Sequence, residues 1–164
     1  MAKNTQLVER NKASQGIRFL NYLIDLALFY ILIMAFFFIW ALISSNPDDL
    51  IDDLENANPF LDQIITMICY ALYMMITEII LKGRSLGKLI TGTRVVTIDG
   101  NQPTTNDLFT RNISRAVPFD QLSFLGNNGW HDKWSDTRVI NIKAYEVALK
   151  LENDMEILGT PEIV

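Results

Sequence analysis

Ile17-Arg18-Phe19-Leu20-Asn21-Tyr22-Leu23-Ile24-Asp25, continuing through an almost unbroken apolar run from Leu26 to Ile43, is the stretch whose reading decides the fold. At about 1.5 Å of rise per residue, some 20 apolar residues cross the roughly 30 Å hydrocarbon layer of a bilayer, and this stretch is longer. It reads as a membrane span. Arg18, Asn21, Tyr22 and Asp25 stand at i, i+3, i+4 and i+7, so on a helix they share one face. A carboxylate at the centre of a span costs about 2.5 to 3.5 kcal/mol on insertion scales, so Asp25 is expected to face protein or water and not lipid.

Upstream, residues 1–15 are polar and carry Lys3, Arg10 and Lys12, a short cytoplasmic lead-in with a helical turn expected at Thr5 to Glu9. A cleaved signal peptide does not fit. The apolar run far exceeds a signal core of roughly 7 to 15 residues, contains Asp25, and offers Ala41-Leu42-Ile43 as a poor cleavage site. Trp40 near the far end suits a lipid–water interface.

Downstream, residues 44–62 hold Asp48, Asp49, Asp52, Asp53, Glu55 and Asp62 with no Lys or Arg, and Pro47 and Pro59 bracket an expected short helix, Asp48 to Asn56. An acidic vestibule that gathers cations is one reading; a solvated loop that marks its side of the membrane is the plainer one. A second apolar segment runs from about Gln63 to Leu81, with Glu78 near its end, and the sign of charge then flips through Lys82, Arg84, Lys88, Arg94, Arg111 and Arg115. Basic flanks at both outer ends and an acidic loop between them imply a hairpin with both termini in the cytoplasm.

Antiparallel spans bring Asp25 and Glu78 to similar shallow depth. The expected intramembrane cluster is Arg18, Asp25 and Glu78, supported by Asn21 and by Tyr22 or Tyr73 as hydrogen-bond partners. Two carboxylates and one guanidinium leave one unit of charge, to be settled by a shared proton, a bound monovalent cation or another base such as Arg84.

Beyond the hairpin the period changes. Arg94-Val95-Val96-Thr97-Ile98 is β-branched and short, Asp99-Gly100 is a tight-turn signal, and Thr137-Arg138-Val139-Ile140-Asn141-Ile142 echoes the first strand, so a small cytoplasmic β-ribbon is expected. Between them, Asp107 to Leu125 is too charged to cross a bilayer and too apolar for a plain loop. A basic amphipathic helix in the inner interface, broken near Pro118, is expected; a re-entrant element over 108–125 is the rival. Arg84, Lys88, Arg111 and Arg115 are read as anchors for anionic headgroups. Residues 143–164 form a C-terminal tail, acidic and weakly patterned from Glu152 onward.

Composition agrees: 164 residues, 49% hydrophobic and with positive mean hydropathy, fit one domain with a large membrane part. The net charge of −5, with bases confined to the membrane edge, argues against a nucleic-acid partner. Cys69, the single cysteine, precludes an intrachain disulfide and reads as a small apolar residue. Gly83-Arg84-Ser85-Leu86-Gly87-Lys88 fails as a phosphate loop: the spacing before Gly-Lys is one residue short, no Ser or Thr follows Lys88, and a membrane helix precedes it. His131, the only histidine, has no second His or Cys near it for a metal. No nucleophile–base pair stands out either, so no enzyme, cofactor or metal is expected.

The pieces together resemble the RDD family of bacterial membrane proteins. The resemblance rests on Arg18 and Asp25, on Glu78 with Gly83-Arg84-Ser85-Leu86-Gly87-Lys88, and on Gly92-Thr93-Arg94-Val95-Val96 with Asp99-Gly100. Arg111, Arg115, Gly129-Trp130-His131-Asp132-Lys133 and Thr137-Arg138-Val139-Ile140 complete it, over roughly residues 13–142. The family takes its name from one Arg and two Asp; Arg18 and Asp25 are the first two, and the third is Asp99 or Asp132, with Asp132 favoured. Ser85, Gly87, Lys88, Asp99, Arg111, Arg115, His131, Asp132 and Lys133 are thereby marked as family-motif residues. The segment from Pro118 to Lys133 is similar to the version found in Bacteroidota, which implies an inner-membrane location. The resemblance implies a transport-related protein, with sodium/proton exchange associated with some members.

The expected architecture is a mainly α membrane protein: a two-transmembrane-helix hairpin over residues 16–142 with an interfacial amphipathic helix and a small cytoplasmic β-ribbon. Its expected role is oligomeric exchange of a monovalent cation for protons, or else that of a non-catalytic accessory or scaffold subunit. Two spans cannot enclose a pathway, so lipid and either further copies or partner helices are the expected partners.

Overall fold

The computed structural model describes residues 2–44, 46, 52, 56, 58–115 and 130–159. Helix α1 (Ala2–Arg10) leads into α2 (Gln15–Ile43), whose N-cap Ser14 accepts a hydrogen bond from the Ile17 amide at 3.3 Å. Helix α3 (Pro59–Ile80) starts a turn earlier than the apolar pattern suggests, because Asn58 caps it through the Phe60 amide at 3.0 Å and Pro59 fits the first turn. Both are long and apolar enough to cross a membrane. Most of their surface is uncovered, with Met34 at 69% and Leu42 at 71% exposure.

What each long helix buries is narrow. On α2 it is Asn21, Asp25 and Phe29, and on α3 Tyr70, Met74 and Glu78, both sets at four-residue spacing. Since the helices run in opposite directions, the polar ends of the two stripes lie together. So do the aromatic ends: Phe29 meets Tyr70 edge-on with ring centroids 5.3 Å apart and Tyr73 at 5.5 Å.

Lys82 (φ 52°) and Gly83 (φ 85°) reverse the chain after α3 and lead into α4 (Leu86–Thr91), a six-residue helix that Gly92 (φ 67°) ends in the left-handed conformation. Strand β1 (Thr93–Thr97) follows, then α5 (Thr105–Arg115), α6 (Trp130–Trp134), β2 (Thr137–Asn141) and α7 (Ile142–Gly159).

The echo between the two β-branched stretches is realised as an antiparallel pair, Thr93 opposite Asn141 and Thr97 opposite Thr137. Residues 11–13 cover the far edge of β2, with the Ala13 amide on Val139 O at 2.9 Å and the Asn141 amide on Asn11 O at 3.1 Å. Val8, Val96 and Ile140 pack on one face of the ribbon with Tyr145, and Ala13, Val95 and Val139 on the other with Ile17.

Two expectations change. Residues 142–159 are helical where a tail was expected, because Tyr145 docks the first turns on the ribbon core and the Asn141 side chain caps the Ala144 amide at 3.1 Å. Helix α5 is amphipathic as expected, yet it turns Leu108, Arg111, Asn112 and Ser114 inward and leaves Phe109 and Ile113 half exposed. Of the expected helix at Asp48 to Asn56 only Asp52 and Asn56 are described, the Asn56 amide donating to Asp52 O at 3.1 Å; the break near Pro118, with the 116–125 part of the re-entrant rival, falls outside the described residues.

Candidate functional site

The buried polar stripe of α2 meets the short elements that follow α3, and the outcome is a closed circuit of charges. Asp25 accepts from the Ser85 hydroxyl at 2.5 Å and from the Gly87 amide at 2.7 Å. That approach needs glycine, since a Cβ at position 87 would lie 2.5 Å from the Asn21 carbonyl oxygen and 3.1 Å from the Asp25 carboxyl. Ser85 in turn accepts from Lys88 Nζ at 3.4 Å, and Lys88 pairs with Glu78 Oε1 at 2.6 Å. The other Glu78 oxygen accepts from Asn112 Nδ2 at 2.9 Å and faces Arg111 Nε at 3.7 Å.

Arg111 then pairs with Asp132 and donates to Thr137 Oγ1 at 3.0 Å. Asp132 closes the circuit by pairing with Arg18, on the same face of α2 as Asp25 and two turns away. Between those two, Asn21 donates to Thr93 Oγ1 at 2.9 Å and accepts from Thr91 Oγ1 at 2.5 Å. The face foreseen on α2 therefore docks three elements at once: α6 through Arg18, the α4–β1 junction through Asn21, and the start of α4 through Asp25.

All six ionisable members are at least nine-tenths buried. Three are cations (Arg18, Lys88, Arg111) and three are carboxylates (Asp25, Glu78, Asp132), so the circuit is neutral with every member ionised. Burial of a lone charge costs several kcal/mol, and the cost is recovered only when the partner is close and the remaining hydrogen-bonding capacity is filled. Ser85, Gly87, Asn112, Thr137 and the Arg pairs supply that filling here.

The expected cluster of Arg18, Asp25 and Glu78 is thus assembled, but not by mutual contact. Asp25 reaches Glu78 through Ser85 and Lys88; Arg18 reaches Glu78 through Asp132 and Arg111. The expected unit of uncompensated charge is absent, because Lys88 and Arg111 turn inward and, together with Asp132, bring cations and carboxylates to three each; Arg84 takes no part. Their reading as headgroup anchors is corrected accordingly: nearby buried carboxylates outweigh the pull of the interface. Neither tyrosine supports the carboxylates. Tyr22 stands edge-on to Tyr70 at 6.3 Å, and the buried Tyr73 hydroxyl has no hydrogen-bond partner among the described residues.

Of the family-motif residues, Ser85, Gly87, Lys88, Arg111 and Asp132 lie in the circuit. Asp99 sits at the turn after β1, outside it, so Asp132 is the aspartate that partners Arg18. Lys133 is exposed. The side chains of Arg115 and His131 lie outside the described residues. Asn112, Thr91, Thr93 and Thr137 were not foreseen; Asn112 shares a helical face with Leu108 and Arg115, which was the available signal.

Away from the circuit, Glu9 pairs with Lys12 at 2.7 Å and Arg138 at 2.6 Å, tying α1 to β2. Partial burial raises the Glu9 pKa, but the hydrogen bonds and charges of Lys12 and Arg138 outweigh it and hold the carboxyl below its ordinary 4.5. Among the described residues no group of three or more His, Cys, Asp or Glu is placed to hold a metal ion.

Two helices of membrane-crossing length, clamped at one end by a small α/β cap through a neutral buried ion circuit, define the class of protein. The chain belongs to the RDD family, whose model matches residues 12–136 and so takes in all six ionisable members of the circuit. No curated protein and no solved structure matches it.

Proposed function

We propose that this is an integral inner-membrane protein, crossing the bilayer twice with both termini in the cytoplasm, and that it serves as a non-catalytic accessory or scaffold module. The observation that carries the role is the neutral circuit. A site that exchanges ions presents acceptor oxygens waiting for a ligand, whereas Asp25, Glu78 and Asp132 are each met by protein donors or cations. Their arrangement suits a clamp that fixes the cap against the hairpin.

The space between the spans supports the same reading. A cleft of about 560 Å³ between α2 and α3 is lined by Phe29, Ile33, Phe37, Ile65 and Tyr73 among others, and Asp62 is the one charged residue on its wall among the described residues. A wall of that chemistry offers a cation no path from one side to the other. The membrane assignment draws on the family, on the uncovered apolar surface of both helices and on the basic flanks of the hairpin.

Exchange of a cation for protons is the second reading, favoured by one observation: the Asp25–Ser85–Lys88–Glu78 chain is continuously hydrogen-bonded and resembles a relay. Reconstitution decides. Proteoliposomes of the purified chain are expected to show no sodium- or potassium-driven proton flux above empty vesicles. Cation-driven flux that disappears in a folded Glu78→Gln variant would overturn the scaffold reading.

A further inference from the structure

Helices α4 and α5 carry their polarity the wrong way round for water. Helix α4 buries Gly87 and Lys88 and exposes Leu89 and Ile90, the latter at 69%. Helix α5 buries Arg111, Asn112 and Ser114 and exposes Phe109 and Ile113, four residues apart on one face, with Ile113 at 53%. A surface helix in water does the reverse, apolar side in and polar side out. Of the three apolar residues Leu108, Phe109 and Ile113, only Leu108 follows that rule.

The circuit fixes the level at which these helices lie along the hairpin. The Gly87 amide meets the Asp25 carboxylate and the Thr91 hydroxyl meets Asn21, so α4 lies beside residues 21–25 of α2, where Leu20 and Leu23 are likewise exposed. Asn112 meets Glu78, so α5 lies beside the last turns of α3, whose Ile76 and Ile80 are exposed. Trp40, of a residue type that favours the interface, stands fifteen residues on from Asp25, and the exposed Asp62 stands sixteen before Glu78. At about 1.5 Å of rise per residue these separations are about 22 and 24 Å, short of the roughly 30 Å hydrocarbon layer. The turns of α4 and α5 that meet Asp25 and Glu78 then fall about 6 to 8 Å inside the boundary on the capped side, within the roughly 5 to 10 Å reached by helices that lie in an interface.

Resting on the reading that the hairpin crosses a bilayer, we infer that α4 and α5 are set into lipid as well, and that acyl chains of the leaflet on the capped side cover Leu89, Ile90, Phe109 and Ile113. These faces share their level with the uncovered apolar surface of α2 and α3, so one solvent covers both. Lys82 and Arg84, in the loop between α3 and α4, form no ion pair among the described residues and supply the bases that headgroup phosphates attract. The buried circuit consequently lies below the membrane surface, sheathed by two long helices and two short ones.

Nitroxide labelling of the full chain in liposomes tests this, on a Cys69→Ser background because Cys69 is exposed. Single labels are placed through Ile90→Cys and Ile113→Cys, and through Ile31→Cys, exposed near the middle of α2, which reports on the hairpin by itself. At all three sites collisions with dissolved oxygen are expected to exceed those with a water-soluble nickel chelate, by about three-fold or more at the two cap sites and by more than that at Ile31. Chelate collisions dominating at both cap sites, while oxygen dominates at Ile31, would overturn the inference and leave the crossing hairpin intact. Chelate dominance at Ile31 as well would remove the crossing itself, and the inference with it. Low collision rates with both reagents at Ile90 and Ile113 would assign the faces to a protein partner and overturn it too.

Discussion

The two ends of the helical hairpin are held by opposite physics. At the capped end, α2 and α3 are joined through other elements: Asp25 through Ser85 and Gly87, Glu78 through Lys88 and Asn112, Arg18 through Asp132 and Arg111. At the outer end they touch directly, through Phe29, Tyr70, Met74 and Tyr73, and then part around an apolar cleft. Ion pairs and hydrogen bonds are directional, so the capped end has one arrangement that satisfies them all. Ring packing tolerates neighbours of similar shape, and apolar surface there loses little by meeting lipid instead of protein.

That contrast is broken most severely at Glu78. Glu78→Ala strands Lys88 and Arg111 without their shared carboxylate, a loss of about 3–5 kcal/mol for one partner of a buried pair; the variant is expected to unfold or aggregate on detergent extraction, read by size-exclusion profile and thermal melt. Retention of a wild-type melt would show the circuit to be dispensable. Next comes Gly87→Ala, whose methyl group collides with the Asn21 carbonyl and pushes α4 off α2, at about 1–3 kcal/mol for overpacking. A melt unchanged in that variant would mean that α4 docks more loosely than the 2.7 Å bond to Asp25 requires.

The outer end should be more forgiving. Phe29→Leu keeps most of the apolar volume and is expected to cost below about 1.5 kcal/mol; a loss equal to that of Gly87→Ala would erase the distinction between the ends. The smallest effect belongs to the Glu9 tether. Its lowered pKa means that its contribution is complete above the ordinary value of 4.5 and is lost as pH falls below it through the folded-state value. Glu9 is about a third exposed, so solvent screening limits the gain to about 0.5 kcal/mol. A Glu9→Gln chain should therefore differ from wild type at neutral pH and converge with it in acid; a difference independent of pH would assign the effect to packing.

Sequence and structure agree most where the signal is a period. The two long apolar helices, the polar face of Arg18, Asn21 and Asp25, and the paired strands all repeat at intervals that one chain displays. Lys88 and Arg111 escaped because their direction depends on where Glu78 and Asp132 end up, which no local period reports. A base beside a span is drawn outward by headgroups in the absence of a closer acid, and that general tendency loses here to two specific carboxylates. Helix α7 escaped for a related reason: its N-terminal turns are held by Tyr145 against residues far back in the chain.

Arg18 and Asp132 stand at opposite ends of the matched region, and that order along the chain has a consequence for biogenesis. Synthesis delivers α2 with Arg18 and Asp25 well before Ser85, Gly87 and Asp132 leave the ribosome, so the first helix emerges ahead of the partners that these two side chains meet in the finished fold. A polypeptide stopped ahead of residue 132 lacks the carboxylate that Arg18 meets in the complete fold.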